Sequence, residues 1–249
     1  MGGAIACGLA ASGGFGAGEI VCSDCMAARA EMLHEKYDII SASTDNRAAA
    51  AGADVVVVAV KPWYAQSVIG ELGPSFDPAR QMLVSVVAGL GAEEIAGWLG
   101  CTPAIFCVIP NTAVSIGKGM TFIAPFNADE AQVASVRELF GLLGGAMVVD
   151  SKMLTTGMIL ASCGIAFALR YLRASAEGGV ELGCTPQQAT EIAARTMIGA
   201  AELLLHNGSH PEQEIDRVTT AGGITIRGLN EMEHAGFTSA VIRGLKACR

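Results

Sequence analysis

Up to about residue 150, short apolar runs alternate with segments of helical spacing. EIVCS (19–23), DVVVVAV (54–60), QMLVSVVAG (81–89), AIFCVI (104–109), MTFIAP (120–125) and AMVVD (146–150) are the predicted strands. Residues 26–35, 63–72, 92–99 and 128–143 are the predicted helices between them. The run Asp54 to Val60 is apolar without alternation, as a strand covered by helices on both faces requires. Strand–helix alternation of this kind predicts a parallel sheet with right-handed crossovers.

After residue 150 the strands stop and the spacing becomes helical throughout. A helix is expected to begin at Thr185, with the hydroxyl as N-cap and Pro186 in the first turn, and to stop at Gly208. Further helices are expected over 211–217, 223–234 and 236–247. The division is therefore 1–150 for the α/β domain and 151–249 for an all-helical one. Roughly a hundred residues of helix with long apolar faces bury those faces poorly alone, and exchange of helices between two subunits solves the problem.

Composition narrows the classes. Of the 249 residues 51% are hydrophobic and 16% charged, which excludes a disordered chain. A net charge of −8 without a basic stripe argues against binding nucleic acid or anionic membranes. The longest apolar stretch, Met153 to Leu169, is broken by Thr155, Thr156 and Ser162 and is shorter than the ~20 residues of a spanning helix, so a buried interface helix is expected. No secretory leader is expected. The eight cysteines are scattered, several within apolar runs, and Cys22 and Cys25 form a single C-x-x-C without a second pair. A reducing, cytoplasmic compartment is expected. No His/Cys/Asp/Glu group has metal-ligand spacing, so no metal is expected.

The candidate chemistry begins at the first residues, MGGAIACGLAASGG. A dinucleotide-binding turn has a strand and then G-x-G-x-x-G opening a helix. Gly2 can stand for the third glycine, which permits close helix–strand packing. The strand and the first two glycines do not precede it, so unpaired strand edges are expected within the sheet. Some twenty residues on, Asp24 follows a predicted strand, where an acidic residue holds a ribose hydroxyl; capping the next helix is the equal alternative. Lys61 and Pro62 stand at the carboxyl end of the apolar strand, where open parallel sheets bind ligands.

Four stretches carry a resemblance to a known family. GGAIACGL, ADVVVVAVKP, VIPNTAVSIGKGMT and HPEQEIDRVTTAGGITIRGLNEMEHAGF are similar to the pyrroline-5-carboxylate reductases, the last being the most diagnostic, and the likeness runs along the whole chain. The resemblance implies a Rossmann domain for NADPH or NADH, an intertwined homodimer built by the helical half, and in some members a ring of dimers. It implies reduction of a cyclic imine carrying a carboxylate, at a site between one subunit's nucleotide domain and the helical domains of the dimer. Hydride transfer to a C=N carbon requires a donor near nitrogen, an anchor for the carboxylate and exclusion of water. The family threonine corresponds to Thr225, which would donate to the imine nitrogen. The backbone around Gly222, Gly223 and Ile224, with the hydroxyl of Thr220, would anchor the carboxylate. Asn111 and Thr112 would approach the nicotinamide and ribose, and Val60, Lys61 and Pro62 would wall the cofactor. Lys61 would help position phosphate or ribose rather than act as an acid. Asn46 corresponds to a family asparagine near the adenosine, with a helix cap as its alternative.

The chain departs from the family at Cys107, where an arginine is usual, at Ala221, where a proline is usual, and at SCGIAF, where Phe167 lacks a tyrosine hydroxyl. For the opening, two explanations stand: about ten further residues upstream, enough for a strand and turn, or an impaired paralogue. Weak or absent cofactor binding is the expectation for the 249-residue chain. Two other readings compete: a non-catalytic oligomeric shell, and a hydroxy-acid reductase, which the absence of lysine between Lys152 and Lys246 counts against. Asp24 leans towards NADH, the family towards NADPH.

Overall fold

The computed structural model describes residues 1–249, which form two compact units, Met1–Ser162 and Cys163–Arg249. The first unit contains strands β1 (Ile20–Ser23), β2 (Ile40–Ser43), β3 (Val55–Val58), β4 (Met82–Ser85), β5 (Ile105–Pro110), β6 (Gly119–Phe126) and β7 (Gly144–Val148). Its helices are α1 (Gly2–Ala11), α2 (Ala27–Lys36), α3 (Asn46–Ala50), α4 (Pro62–Leu72), α5 (Ala92–Leu99), α6 (Glu130–Gly141) and α7 (Met153–Gly157).

The strands form two separate sheets. β1 and β2 pair in parallel, and β3-β4-β5-β6-β7 make a five-stranded sheet. β1 and β3 thus each have one edge without a strand partner. One expectation needs correcting: β6 runs antiparallel to β5, whereas the other neighbours are parallel. The connection from β5 to β6 is a 3₁₀ turn, Thr112–Ile116, and a parallel return needs a crossover of a dozen or more residues. α6 supplies such a crossover between β6 and β7.

Alternating side chains build two cores from the same strands. On one face Val84, Phe106, Val108 and Ile123 pack with Ile5 and Leu9 of α1 and with Val136 and Phe140 of α6. On the other, Val58, Leu83 and Ile105 pack with Ala65, Ile69 and Leu72 of α4 and with Ile95 and Leu99 of α5. Burial on both faces is why these strands are apolar without a polar alternation.

In the second unit, α8 (Gly164–Glu181), α9 (Pro186–Asn207), α10 (Pro211–Val218), α11 (Ile224–His234) and α12 (Phe237–Lys246) follow in order. α9 starts with a capping box between Thr185 and Gln188 and Pro186 in its first turn, and stops at Gly208 with φ 59°. Gly179 lets α8 approach α9 closely: a Cβ there would stand 2.9 Å from the Cβ of Ala189. Beyond that contact little is covered, and only Ala176 and Ala189 of this unit's apolar residues are buried.

The helical run from Met153 continues through a π-helical stretch, Met158–Cys163, to Glu181. At 29 residues it is long and apolar enough, by length and composition, to cross a membrane, and 11% of its most apolar stretch is buried. The helix is therefore longer than the apolar run Met153 to Leu169 that marks it, because the threonines and the serine leave it unbroken, and its apolar face is exposed within one chain.

Candidate active site

In the first unit the candidate residues gather at the carboxyl ends of strands. Gly2 opens α1 and lies against β3's continuation, where a Cβ on Gly2 would stand 3.0 Å from the Cβ of Ala59. Val60 and Lys61 follow, with Lys61 as the backbone N-cap of α4 and Pro62 as its first residue. Lys61 is exposed.

At the end of β1, Asp24 Oδ1 accepts from the Met26 backbone N–H at 2.9 Å, and Arg29 lies 3.9 Å from its other oxygen. One carboxylate oxygen is thus engaged in the turn into α2. Beside it the Ser23 hydroxyl is buried without a hydrogen-bond partner. Asn46 begins α3 and donates to Glu71 Oε2 at 3.1 Å. The capping alternative for Asn46 does not hold: Asp45 Oδ1 accepts from the N–H groups of Arg47 and Ala48, so the cap is one residue earlier.

Asn111 at the end of β5 is buried and makes three side-chain hydrogen bonds. Its Oδ1 accepts from Ala113 N–H at 3.2 Å and Met120 N–H at 3.4 Å, and its Nδ2 donates to the Ala161 carbonyl at 3.2 Å. The Ser162 hydroxyl donates to the Pro110 carbonyl at 3.4 Å. A π turn breaks the regular α-helical ladder, and here a carbonyl of that turn accepts from Asn111. Asn111 therefore ties the Thr112–Ile116 turn, β6 and this helix together, while Thr112 stays exposed. The Cys107 thiol donates to the Leu90 carbonyl at 3.6 Å, and burial, then the Glu93 carboxylate, pushes its pKa up to about 11, which disfavours the reactive thiolate.

In the second unit the candidates form one turn. Gly222 has φ +70°, a conformation that favours glycine. At Gly223 a Cβ would stand 2.5 Å from Thr220 Oγ1 and 3.0 Å from Thr220 O, so a side chain there would displace Thr220. The Gly223 N–H donates to the Thr220 carbonyl at 2.9 Å. Of the backbone donors expected here, that one is engaged inside the turn. Ile224 and Thr225 open α11, and first-turn N–H groups have no partner within a helix. The sequence reading did not single out Arg227, whose guanidinium donates to the Gly222 carbonyl at 3.3 Å and the Gly223 carbonyl at 3.4 Å. An arginine four residues past a Gly-Gly pair reads equally as a solvated helix position, so the sequence carries no specific signal for it.

This geometry allows two kinds of chemistry. Ser23, Asp24, Lys61 and Thr112 follow the ends of strands and are polar groups of the kind a dinucleotide needs; the partnerless buried Ser23 hydroxyl is the observation that tests that fit. The α11 start offers two free N–H groups and the hydroxyls of Thr220 and Thr225, which fits a small anion with a second polar atom.

Comparison with known proteins bears on both halves. Residues 151–249 match the family model for pyrroline-5-carboxylate reductase dimerisation, and residues 1–89 match that for coenzyme F420-dependent NADP oxidoreductase. Pyrroline-5-carboxylate reductase 2 of Dictyostelium discoideum is 33% identical, with 98% of this chain and 86% of the relative covered. The Escherichia coli pyrroline-5-carboxylate reductase is 31% identical over 100% of this chain and 92% of its own. Reductase 1 of Dictyostelium discoideum is 36% identical over 98% of this chain, which spans 46% of that relative's length. Among solved structures, a pyrroline-5-carboxylate reductase from Coxiella burnetii aligns with a TM-score of 0.89 at 26% identity, over 98% of this chain and 91% of that one.

Proposed function

The chain belongs to the pyrroline-5-carboxylate reductase family, and we propose on that premise that it reduces 1-pyrroline-5-carboxylate to L-proline, the closing step of proline biosynthesis, with NADPH or NADH. The chemistry that the nicotinamide supplies when bound is a hydride for the imine carbon.

The residues of this chain do the rest. The N–H groups of Ile224 and Thr225, with the Thr220 hydroxyl, hold the substrate carboxylate at the positive end of α11. Gly222 and Gly223 permit that approach because neither carries a side chain. The Thr225 hydroxyl donates to the imine nitrogen, where electron density rises as the C=N bond is reduced. In the first unit, Gly2 allows α1 to lie against Ala59, while Ser23, Asp24, Lys61 and Thr112 meet the polar parts of the dinucleotide. Val60 and Pro62 wall it, Asn46 lies towards the adenosine, and Asn111 positions the turn that carries Thr112. We assign residues 1–150 to cofactor binding and 151–249 to dimerisation and substrate binding, in a cytoplasmic homodimer.

The observation that carries the assignment of the substrate site is the turn at α11: its Gly222 conformation, the closed space at Gly223 and two unpartnered N–H groups. Its test is pyrroline-5-carboxylate-dependent oxidation of NADPH and NADH by the wild type and Thr225→Val. The valine variant is expected to lose about 10²- to 10³-fold in kcat, the scale for removing one preorganised donor. An unchanged kcat removes Thr225 from the mechanism, and no turnover by the folded wild-type dimer removes the activity.

A further inference from the structure

We infer that Arg227 is a positioning residue for substrate binding: it clamps the Gly222–Gly223 turn so that the Ile224 N–H faces the substrate carboxylate. The inference rests on the proposed placement of the carboxylate at the start of α11.

In a planar trans peptide the C=O of one residue and the N–H of the next point in opposite directions. Arg227 Nη2 donates to the Gly222 carbonyl at 3.3 Å and Nε to the Gly223 carbonyl at 3.4 Å. One rigid guanidinium therefore holds two consecutive peptide planes. Their opposite ends are the N–H groups of Gly223 and Ile224. The first is taken by the Thr220 carbonyl at 2.9 Å, and the second is the first free donor of α11. Holding the carbonyls on one side aims that donor to the other.

The turn needs such a clamp. Two glycines in succession leave the backbone more conformations than any other pair, and ordering them costs entropy. Ala221 precedes them, and the structure gives this stretch no side-chain hydrogen bonds other than those of Arg227. At 3.3 and 3.4 Å each bond is long, so neither would hold the turn alone; their value lies in arriving from one planar fork. A lysine, with a single compact ammonium on a flexible stem, keeps the charge but does not hold both planes in that way. This difference separates clamping from simple attraction of an anion.

The test compares wild type, Arg227→Ala and Arg227→Lys by two measurements. The first is steady-state kinetics with pyrroline-5-carboxylate and NADPH; the second is amide hydrogen exchange of the segment 219–226 in the absence of ligands. Arg227→Ala is expected to raise KM for pyrroline-5-carboxylate by roughly three- to tenfold, the worth of one net hydrogen bond. kcat and KM for NADPH are expected to stay within twofold, roughly, since uniform binding alone is weakened. Exchange of the Gly223 amide, which donates to the Thr220 carbonyl, is expected to quicken, and Arg227→Lys to restore neither property. Full recovery of KM by lysine overturns the clamp in favour of a charge effect, and unchanged exchange in Arg227→Ala overturns it outright. Should the wild type show no turnover, the substrate assignment fails, and the exchange measurement still decides whether Arg227 orders the turn.

Discussion

The two units of this chain solve the same problem, burying apolar side chains, in opposite ways. In Met1–Ser162 the sheet has helices on both faces, and Phe106, Ile105, Leu83 and Ile123 are fully enclosed by the chain itself. In Cys163–Arg249 only Ala176 and Ala189 are buried, while Leu169, Ile192, Ile198, Leu203 and Leu205 are more than half exposed. The helices of the second unit are nevertheless well specified locally, with a capping box at Thr185 and another at His210. Local helix signals and a closed core are separate requirements, and this unit meets only the first within one chain. A second copy of the same surface is what the dimerisation family supplies.

The sharpest way to break this contrast is to damage the core that should be self-sufficient. Phe106→Ala, at a site with no exposure, is expected to cost about 3–5 kcal/mol in the unfolding of the first unit. That cost should not vary with protein concentration. The second unit should behave differently, its unfolding midpoint rising as the protein is concentrated, because association adds stability by mass action. Differential scanning calorimetry at two concentrations compares them directly. A midpoint for the helical unit that ignores concentration would falsify its dependence on a partner.

A smaller effect tests which surface is shared. Leu203→Glu on α9 puts a charge on an exposed apolar site, tolerable in a monomer and unfavourable in a dry interface. Dimer affinity is expected to weaken about 10- to 100-fold, from the ~1–3 kcal/mol that burying an unpaired polar group costs in proteins. Sedimentation velocity over a dilution series gives the answer. If the variant dimerises like the wild type, this part of α9 lies outside the interface.

What the sequence disclosed follows the same physical line. Strands such as Met82–Ser85 announce themselves because burial on both faces demands consecutive apolar residues. The strand Ile40–Ser43 does not: it reads Ile-Ser-Ala-Ser, only Ile40 is buried, and its pairing with β1 supplies what its side chains lack. The antiparallel direction of β6 was written in the short link Thr112–Ile116, not in the hydrophobic pattern. Asn111 is expected near the nicotinamide from the family resemblance of its loop, and the sequence does not disclose the three hydrogen bonds it makes to the chain. The glycines at 222 and 223 were visible as a turn. The clamp by Arg227 was not, since a helix surface and a side chain folded back onto its own first turn share one sequence pattern.

The smallest predicted effect lies in the link between α9 and α10, where charge replaces the missing core. The carboxylate of Glu214 accepts from the Ser209 hydroxyl, from Asn207 Nδ2 at 3.0 Å and from Arg217 Nη1 at 2.6 Å. The Ser209 bond first, then that of Asn207, with a smaller part from Arg217, hold its pKa below the ordinary 4.5. A carboxyl depressed by folding stabilises the folded state at every pH above its unfolded value and gives that up as pH falls through the folded one. The link should therefore loosen only below pH 4.5, and Glu214→Gln should remove that dependence while shifting stability little at neutral pH. Acid titration of both proteins, followed by amide exchange over 205–218, compares the two slopes. Parallel slopes would mean that this carboxylate, despite its three donors, does not bind the two helices together, leaving the link to local capping and association.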